Sequence, residues 1–572
     1  MRRNRGAWGA WIALLLATPV MAGTDATADR VRKILETPGF EIGHWGVLVV
    51  DRRSGEVVFE HQPNHLFVPA EVGQLFSAVA VLEGLGGDYR FQTPVFRRGE
   101  VGPDGTLHGD LILVAGGDPS LGGRTSPQDG SLLYRDVDHS RASTTLGAML
   151  VEADPLAGLD HLAREVKAAG ILTITGEVIV DDRLFPETPI ESGLPSKVSS
   201  IAVNDNLVDV LITPAPEPGM QAEIRTVPPS RYYSAEAQID TVAEGEAPRI
   251  EIRREGPRRF SIRGQVPVGH PPMIQVFEID RPADFARAAF IEQLRGRGVR
   301  VEATPLGDNP SDRLPASDEV DSLPRVALYT SPPLREYIRV ILKVGHHSHA
   351  ASLPLLLTSN NDSRTLTDGL RRQGTIFQQL GVPGEGISLT AGVGTHRTDR
   401  VSPQAVVTLL RAMQGRPTAQ AFETALPVIG REGTALDIVA ADSPARGHGR
   451  AHAGTAWTID EATGKPLLLS KALAGYLETA SGRDLVFAFF VNDVPTSAET
   501  SERGVTNLSA SRVLGALCEA FYEDQSTEPQ SAASQLPQQP RQTNPSVGPT
   551  IRNASGRPSD AIEGIGRNGP AR

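Results

Sequence analysis

Three histidines fall within four residues, His346, His347 and His349, and a further pair, His448 and His452, stands four apart. Imidazole is both a general acid–base and the commonest metal ligand. Such a cluster therefore suits proton transfer or metal binding, or it is simply solvated. The usual helical metalloprotease string, His-Glu-x-x-His, is missing. A single cysteine, Cys518, excludes an intrachain disulfide and any cysteine-based zinc cluster. The lysines are Lys33, Lys167, Lys197, Lys343, Lys465 and Lys471, and none is preceded by serine three positions earlier. A Ser-x-x-Lys nucleophile and base, one helical turn apart on one face, is thus nowhere in the chain.

The elements that must position these residues are legible in part. Residues 45–50 read as a buried strand, and Asp51 to Gly55 as a turn leading into a second strand at 56–59. After Pro69, apolar residues at 72, 75, 76, 79 and 82 recur at helical spacing, predicting a helix over about 70–83. From about 95 to 300 short strands alternate with Gly and Pro turns, interrupted by one helix at about 158–169. Helices are expected at about 283–296, 333–344, 364–380, 403–414 and 508–522, with strand-like runs at 467–469 and 485–491. The pattern is an α+β fold split by a β-rich insertion.

The 572 residues carry a formal net charge of −12, which argues against nucleic acid as a partner. Arg2, Arg3 and Arg5, an apolar run over 7–20 and a small-residue close at Ala22 describe a cleavable secretory signal peptide at 1–22. The run is shorter than the ~20 residues a membrane helix needs. Beyond it no stretch could span a bilayer, so export to a periplasm follows as the expectation. Residues 523–572 hold seven prolines and no aromatic residue, and read as a disordered tail. The domain expectation is a discontinuous domain over 27–95 and 300–522, with inserted β-rich material over 96–299.

Many short strings then occur in one order: Gly46 to Asp51, Phe67 to Ala70, Gly105 to Leu111 with Gly116 to Leu121, Gly176 to Asp181, Ala202 to Asn206, Ser331 to Leu334, Arg400 to Pro403, Leu426 to Gly430 and Gly475-Tyr476. Together they resemble the D-alanyl-D-alanine carboxypeptidase/endopeptidase family, the class C low-molecular-mass penicillin-binding proteins, over roughly residues 40–522. The resemblance implies a penicillin-recognising transpeptidase or β-lactamase-like domain, an antiparallel sheet with flanking helices. It also implies three motifs around one cleft: Ser-x-x-Lys for acylation, Ser-x-Asn for proton relay, and Lys-Thr-Gly to grip the substrate carboxylate.

This chain departs at all three. Glu71 stands for the nucleophile and Gln74 for the base; Gly345 and His347 stand for the relay serine and asparagine; His452 and Ala453 replace Lys and Thr, leaving only Gly454. A loop that would read Asp-Gly-Ser-Gly is Ala391-Gly-Val-Gly394. The expectation is a pseudoenzyme with no catalytic residues at these positions and no cofactor, binding peptidoglycan stem peptides or a cell-wall enzyme. An alternative is metal-assisted hydrolysis, with zinc on Glu71, His347 and His452, which the family's motifs would bring to one cleft. A second alternative, standard serine activity, requires the motifs to lie elsewhere. Tyr232-Tyr233 and Trp457 could line a binding surface, with core packing the plainer use.

Overall fold

A computed structural model describes residues 25–135, 137–144, 148–190, 195–358, 364–495 and 503–524. The leader at 1–22 and nearly all of the tail from 523 lie outside these residues.

The central sheet joins the two ends of the body. Its strands run in the order Gly449–Ile459, Pro466–Glu478, Asp484–Pro495, His44–Asp51 and Val57–His61, all antiparallel. Side chains alternate across a strand, and here both faces are buried. Val47, Val49, Phe487 and Phe489 face one side, where Val31 and the Leu514, Leu517 and Cys518 stripe of helix Arg503–Tyr522 cover them. Leu48, Val50, Val486, Ala488 and Phe490 face the other, against helices Gln74–Leu85, Leu334–Val344 and Pro403–Ala412. This two-sided burial is why 45–50 and 485–491 are unbroken apolar runs.

The expected helices form, with small shifts. The 70–83 segment begins as a short 3₁₀ turn, Ala70–Gly73, before the α-helix Gln74–Leu85. Helix His347–Leu356 was not foreseen, because three histidines and the internal Pro354 hid its pattern. The remaining strands form a six-stranded sheet, two three-stranded sheets and two two-stranded sheets, and helices Ala157–Ala168 and Pro282–Gly296 share one core with the six- and three-stranded sheets. Strand pairing draws the edges of this material differently from the expected 96 and 299. Strand Arg90–Val101 pairs with Arg325–Pro333 in the same sheet, so the inserted sheet begins at Arg90 and ends at Pro333. The helical periodicity at 283–296 looked like a return to the main body, but Phe285, Phe290 and Leu294 pack into the core of the inserted sheets. Among the described residues no helix is long and apolar enough to cross a membrane.

The sheet fixes the start of the Glu71 turn through Val68. Asn492, on the middle strand, accepts the Val68 N–H at 2.9 Å, and Ser470 donates to the Val68 carbonyl at 2.7 Å. Both side chains are buried. Asn492→Ala strands a buried amide, so it is expected to cost about 2 kcal/mol of stability; urea unfolding at neutral pH measures it.

Candidate functional site

Glu71 sits in the 3₁₀ turn that leads into helix Gln74–Leu85, and the residue before it, Ala70, has φ +48°. A non-glycine residue there is strained. The turn is held against strand Gly449–Ile459, where a Cβ on Gly454 would lie 2.5 Å from the Glu71 nitrogen. Only glycine permits that approach. The next residue, Thr455, donates its N–H to Glu71 Oε2 at 2.6 Å.

The other carboxylate oxygen of Glu71 is 3.1 Å from His347 Nε2 and 3.3 Å from Arg141 Nη1. Burial alone would raise the Glu71 carboxyl. The His347 hydrogen bond, the Arg141 charge and the Thr455 N–H outweigh it and hold the group at about 2. Arg141 comes from the inserted part, as does Asp138, whose Oδ2 accepts the His347 N–H at 3.2 Å. Neither was foreseen, since the 137–144 segment carries no motif and reaches the cleft only through the fold.

The other departures also have physical settings. Gly345, at φ +70°, closes helix Leu334–Val344 in the left-handed conformation, and its carbonyl accepts from Gln74 Nε2 at 3.3 Å. Gln74 is fully buried, an uncharged amide where the family carries an amine. Lys343, two residues before Gly345, is buried, donates to the Leu426 carbonyl at 2.9 Å and pairs with Glu432. Ala453 is buried, and its N–H donates to Thr434 Oγ1. Gly394 of the substituted loop, at φ +76°, backs onto Gly73 and the Ala70 carbonyl.

The structure pairs Glu71 with His347 and leaves His452, on strand Gly449–Ile459, within reach of the Glu71 charge. His452 Nδ1 donates to the Leu342 carbonyl at 2.8 Å, and burial pushes the imidazole down to about 4, so it is neutral. The Arg141 guanidinium lies against His347 as well, 3.0 Å from Nε2. Among the described residues, the His and acidic side chains whose donor atoms lie within 4.8 Å of one another are Asp205, His346 and His349, not Glu71, His347 and His452. His448 and His452 do not pair either. The segment is a strand rather than a helix, and the His448 ring stands 4.7 Å from Tyr522 instead.

Sequence reasoning also missed Lys471. It lies opposite Thr455 in the strand register and donates to its hydroxyl at 2.9 Å. Burial pushes Lys471 down to about 8. Its identity as a lysine was visible, but only the pairing of strands Gly449–Ile459 and Pro466–Glu478 carries it to the site. Glu71, Asp138, Arg141, Gly345, Thr434, Thr455, Lys471 and Trp457 line a cleft of about 320 Å³. Trp457 thus faces the cleft, while Tyr232 joins the core of the inserted sheets with Tyr233 packed against it.

Residues 27–511 match the D-Ala-D-Ala carboxypeptidase 3 (S13) family. A D-alanyl-D-alanine carboxypeptidase of Actinomadura sp. (strain R39) is 28% identical over 506 residues, covering 84% of each chain. The D-alanyl-D-alanine carboxypeptidase DacB of Haemophilus influenzae is 20% identical over 79% of this chain and 86% of its own length. In three dimensions, penicillin binding protein 4 (dacB) from Haemophilus influenzae superposes with a TM-score of 0.62 at 18% identity. That match covers 85% of this chain and 99% of the other.

The Glu71 pairing has a pH signature. Its folded value of about 2 lies below the ordinary 4.5. The stabilisation is therefore complete above pH ~4.5 and is lost as the pH falls toward 2. Glu71→Gln is expected to cost about 3 kcal/mol at pH 7 and less than half of that at pH 3. Urea unfolding of both proteins at the two pH values checks this.

Proposed function

The chain belongs to the D-Ala-D-Ala carboxypeptidase 3 (S13) family, and from that premise we propose that it is a catalytically silent member that binds peptidoglycan stem peptides in the Glu71 cleft. The observation that carries this is the state of Glu71. A serine peptidase of this type needs a hydroxyl at this position and an amine one turn on; here a carboxylate and the Gln74 amide occupy the two places. Attack by a carboxylate on an amide would give a mixed anhydride, far less stable than the ester of an acyl-enzyme. The carboxylate is moreover spent, accepting the Thr455 N–H and facing His347 and Arg141.

Binding does not need a nucleophile. The cleft keeps Lys471 beside Thr455, with Arg141 at its wall, cations suited to a peptide carboxylate. Trp457 adds an apolar surface. With the leader read at 1–22 and a cell-wall family, the site of action is the periplasm. A wall enzyme docking at the same cleft is the companion possibility for the bound partner.

Purified mature protein is expected to release no D-alanine from a muropeptide pentapeptide, with or without added zinc, while binding that peptide. Lys471→Met is expected to weaken binding about tenfold, a loss of about 1.4 kcal/mol, read by calorimetric titration. Glu71→Ser alone is expected to restore no turnover, since Gln74 supplies no base. Release by the wild type that disappears in Thr455→Val would overturn the proposal by locating a nucleophile at Thr455. Release that requires zinc would overturn it in favour of metal-assisted hydrolysis.

A further inference from the structure

We propose that Asp205, His346 and His349 bind one divalent transition-metal ion of the zinc class, behind the cleft and separate from Glu71. His346 caps helix His347–Leu356 and His349 lies in its first turn. Three residues apart, their side chains fall on one side of the helix, and the two rings stack with centroids 3.8 Å apart. Both present Nε2 to one carboxylate: His349 is 2.8 Å from Asp205 Oδ1 and His346 is 3.4 Å from Asp205 Oδ2. All three residues are buried. Tetrahedral zinc with ligand distances of about 2.0–2.1 Å spaces its donors by about 3.3 Å. The three donor atoms fall within 4.8 Å of one another, so small rotations suffice to surround an ion.

Two further observations point the same way. Asp205 is presented by the turn Asn204–Asn206, whose three residues all have positive φ, +52°, +55° and +56°. Each is a sparsely populated conformation for a residue other than glycine, and together they aim the carboxylate at the histidines. The position also already holds a cation. Arg124 pairs with Asp205 Oδ2, and its Nη2 is 3.2 Å from His346 Nε2. A guanidinium nitrogen can only donate, so His346 Nε2 offers a lone pair toward that point, as a metal ligand must. A metal ion would take the place of this guanidinium group. Arg124 borders a cavity that it shares with His139, Ala148, Leu150 and Asp209, into which the side chain can turn.

Beyond the ligands stand Asp138 and Asp209, with His139 set between Asp209 and Asp205 so that both of its ring nitrogens face carboxylates. His139 Nδ1 is 2.6 Å from Asp205, and its Nε2 reaches Asp209, fixing the Asp205 carboxylate from behind. Beyond the far nitrogen of His346 lies Asp138 Oδ1 at 3.6 Å. An ion here would clamp the inserted part, through Asp205, to the helix that carries His347.

The test is titration of the chelator-treated protein with zinc chloride alone, by calorimetry and by metal analysis after gel filtration, with cobalt(II) absorbance reporting the ligand geometry. The expected result is one zinc per chain and a higher melting temperature with zinc. His346→Asn/His349→Gln should bind at least 100-fold more weakly and show no rise in melting temperature on adding zinc. Arg124→Gln should bind more tightly than wild type, because the competing cation is gone; a merely structural ion-pair network predicts no such gain. Glu71→Gln should leave zinc binding unchanged. Absence of stoichiometric zinc in the wild type, full binding by the double histidine variant, or loss of binding on Glu71→Gln would each overturn the assignment.

Discussion

A carboxylate taken out of water must be paired or neutralised, and the Glu71 turn is organised by that demand. Its partners come from three distant parts of the chain: a backbone N–H of strand Gly449–Ile459, an imidazole at the start of helix His347–Leu356, and a guanidinium from the inserted part. Glycine at 454 lets the strand approach, and Asn492 with Ser470 fixes the turn from behind. The Glu71 turn is thus a junction of several main elements, held together by the pairing of its carboxylate.

The substitutions around it are mutually consistent. A carboxylate at 71 calls for cationic and donor groups nearby, and Arg141 and His347 supply them. Gln74, on the same turn, is neutral and fully buried, and its amide donates to the Gly345 carbonyl. At the third motif His452 is buried as a neutral imidazole donating to a carbonyl, and the cation lining the cleft is Lys471, one strand over. Beneath the cleft the Lys343 amine pairs with Glu432 and donates to the Leu426 carbonyl.

Much of the framework was legible from periodicity: the two-sided strands at 45–50 and 485–491, the helix after Pro69, and the insertion between helical parts. Glu71, Gln74, Gly345, His347, His452 and Ala453 could be singled out because each departs from the pattern that the resemblance implies. What escaped was what only tertiary structure creates. Arg141 and Asp138 reach the cleft from a segment with no motif. Lys471 reaches it by cross-strand register. Asp205 meets His346 and His349 across 141 to 144 positions of sequence. Which core helix Pro282–Gly296 joins was not legible, because its apolar periodicity is the same whichever core it packs against.

The most direct test of the central claim is intact-mass spectrometry of the mature protein after prolonged incubation with benzylpenicillin. With Glu71 at the nucleophile position and its carboxylate paired, the mass is expected to stay that of the unmodified chain. A stoichiometric gain of one penicillin would contradict the account and show that a living nucleophile faces the cleft.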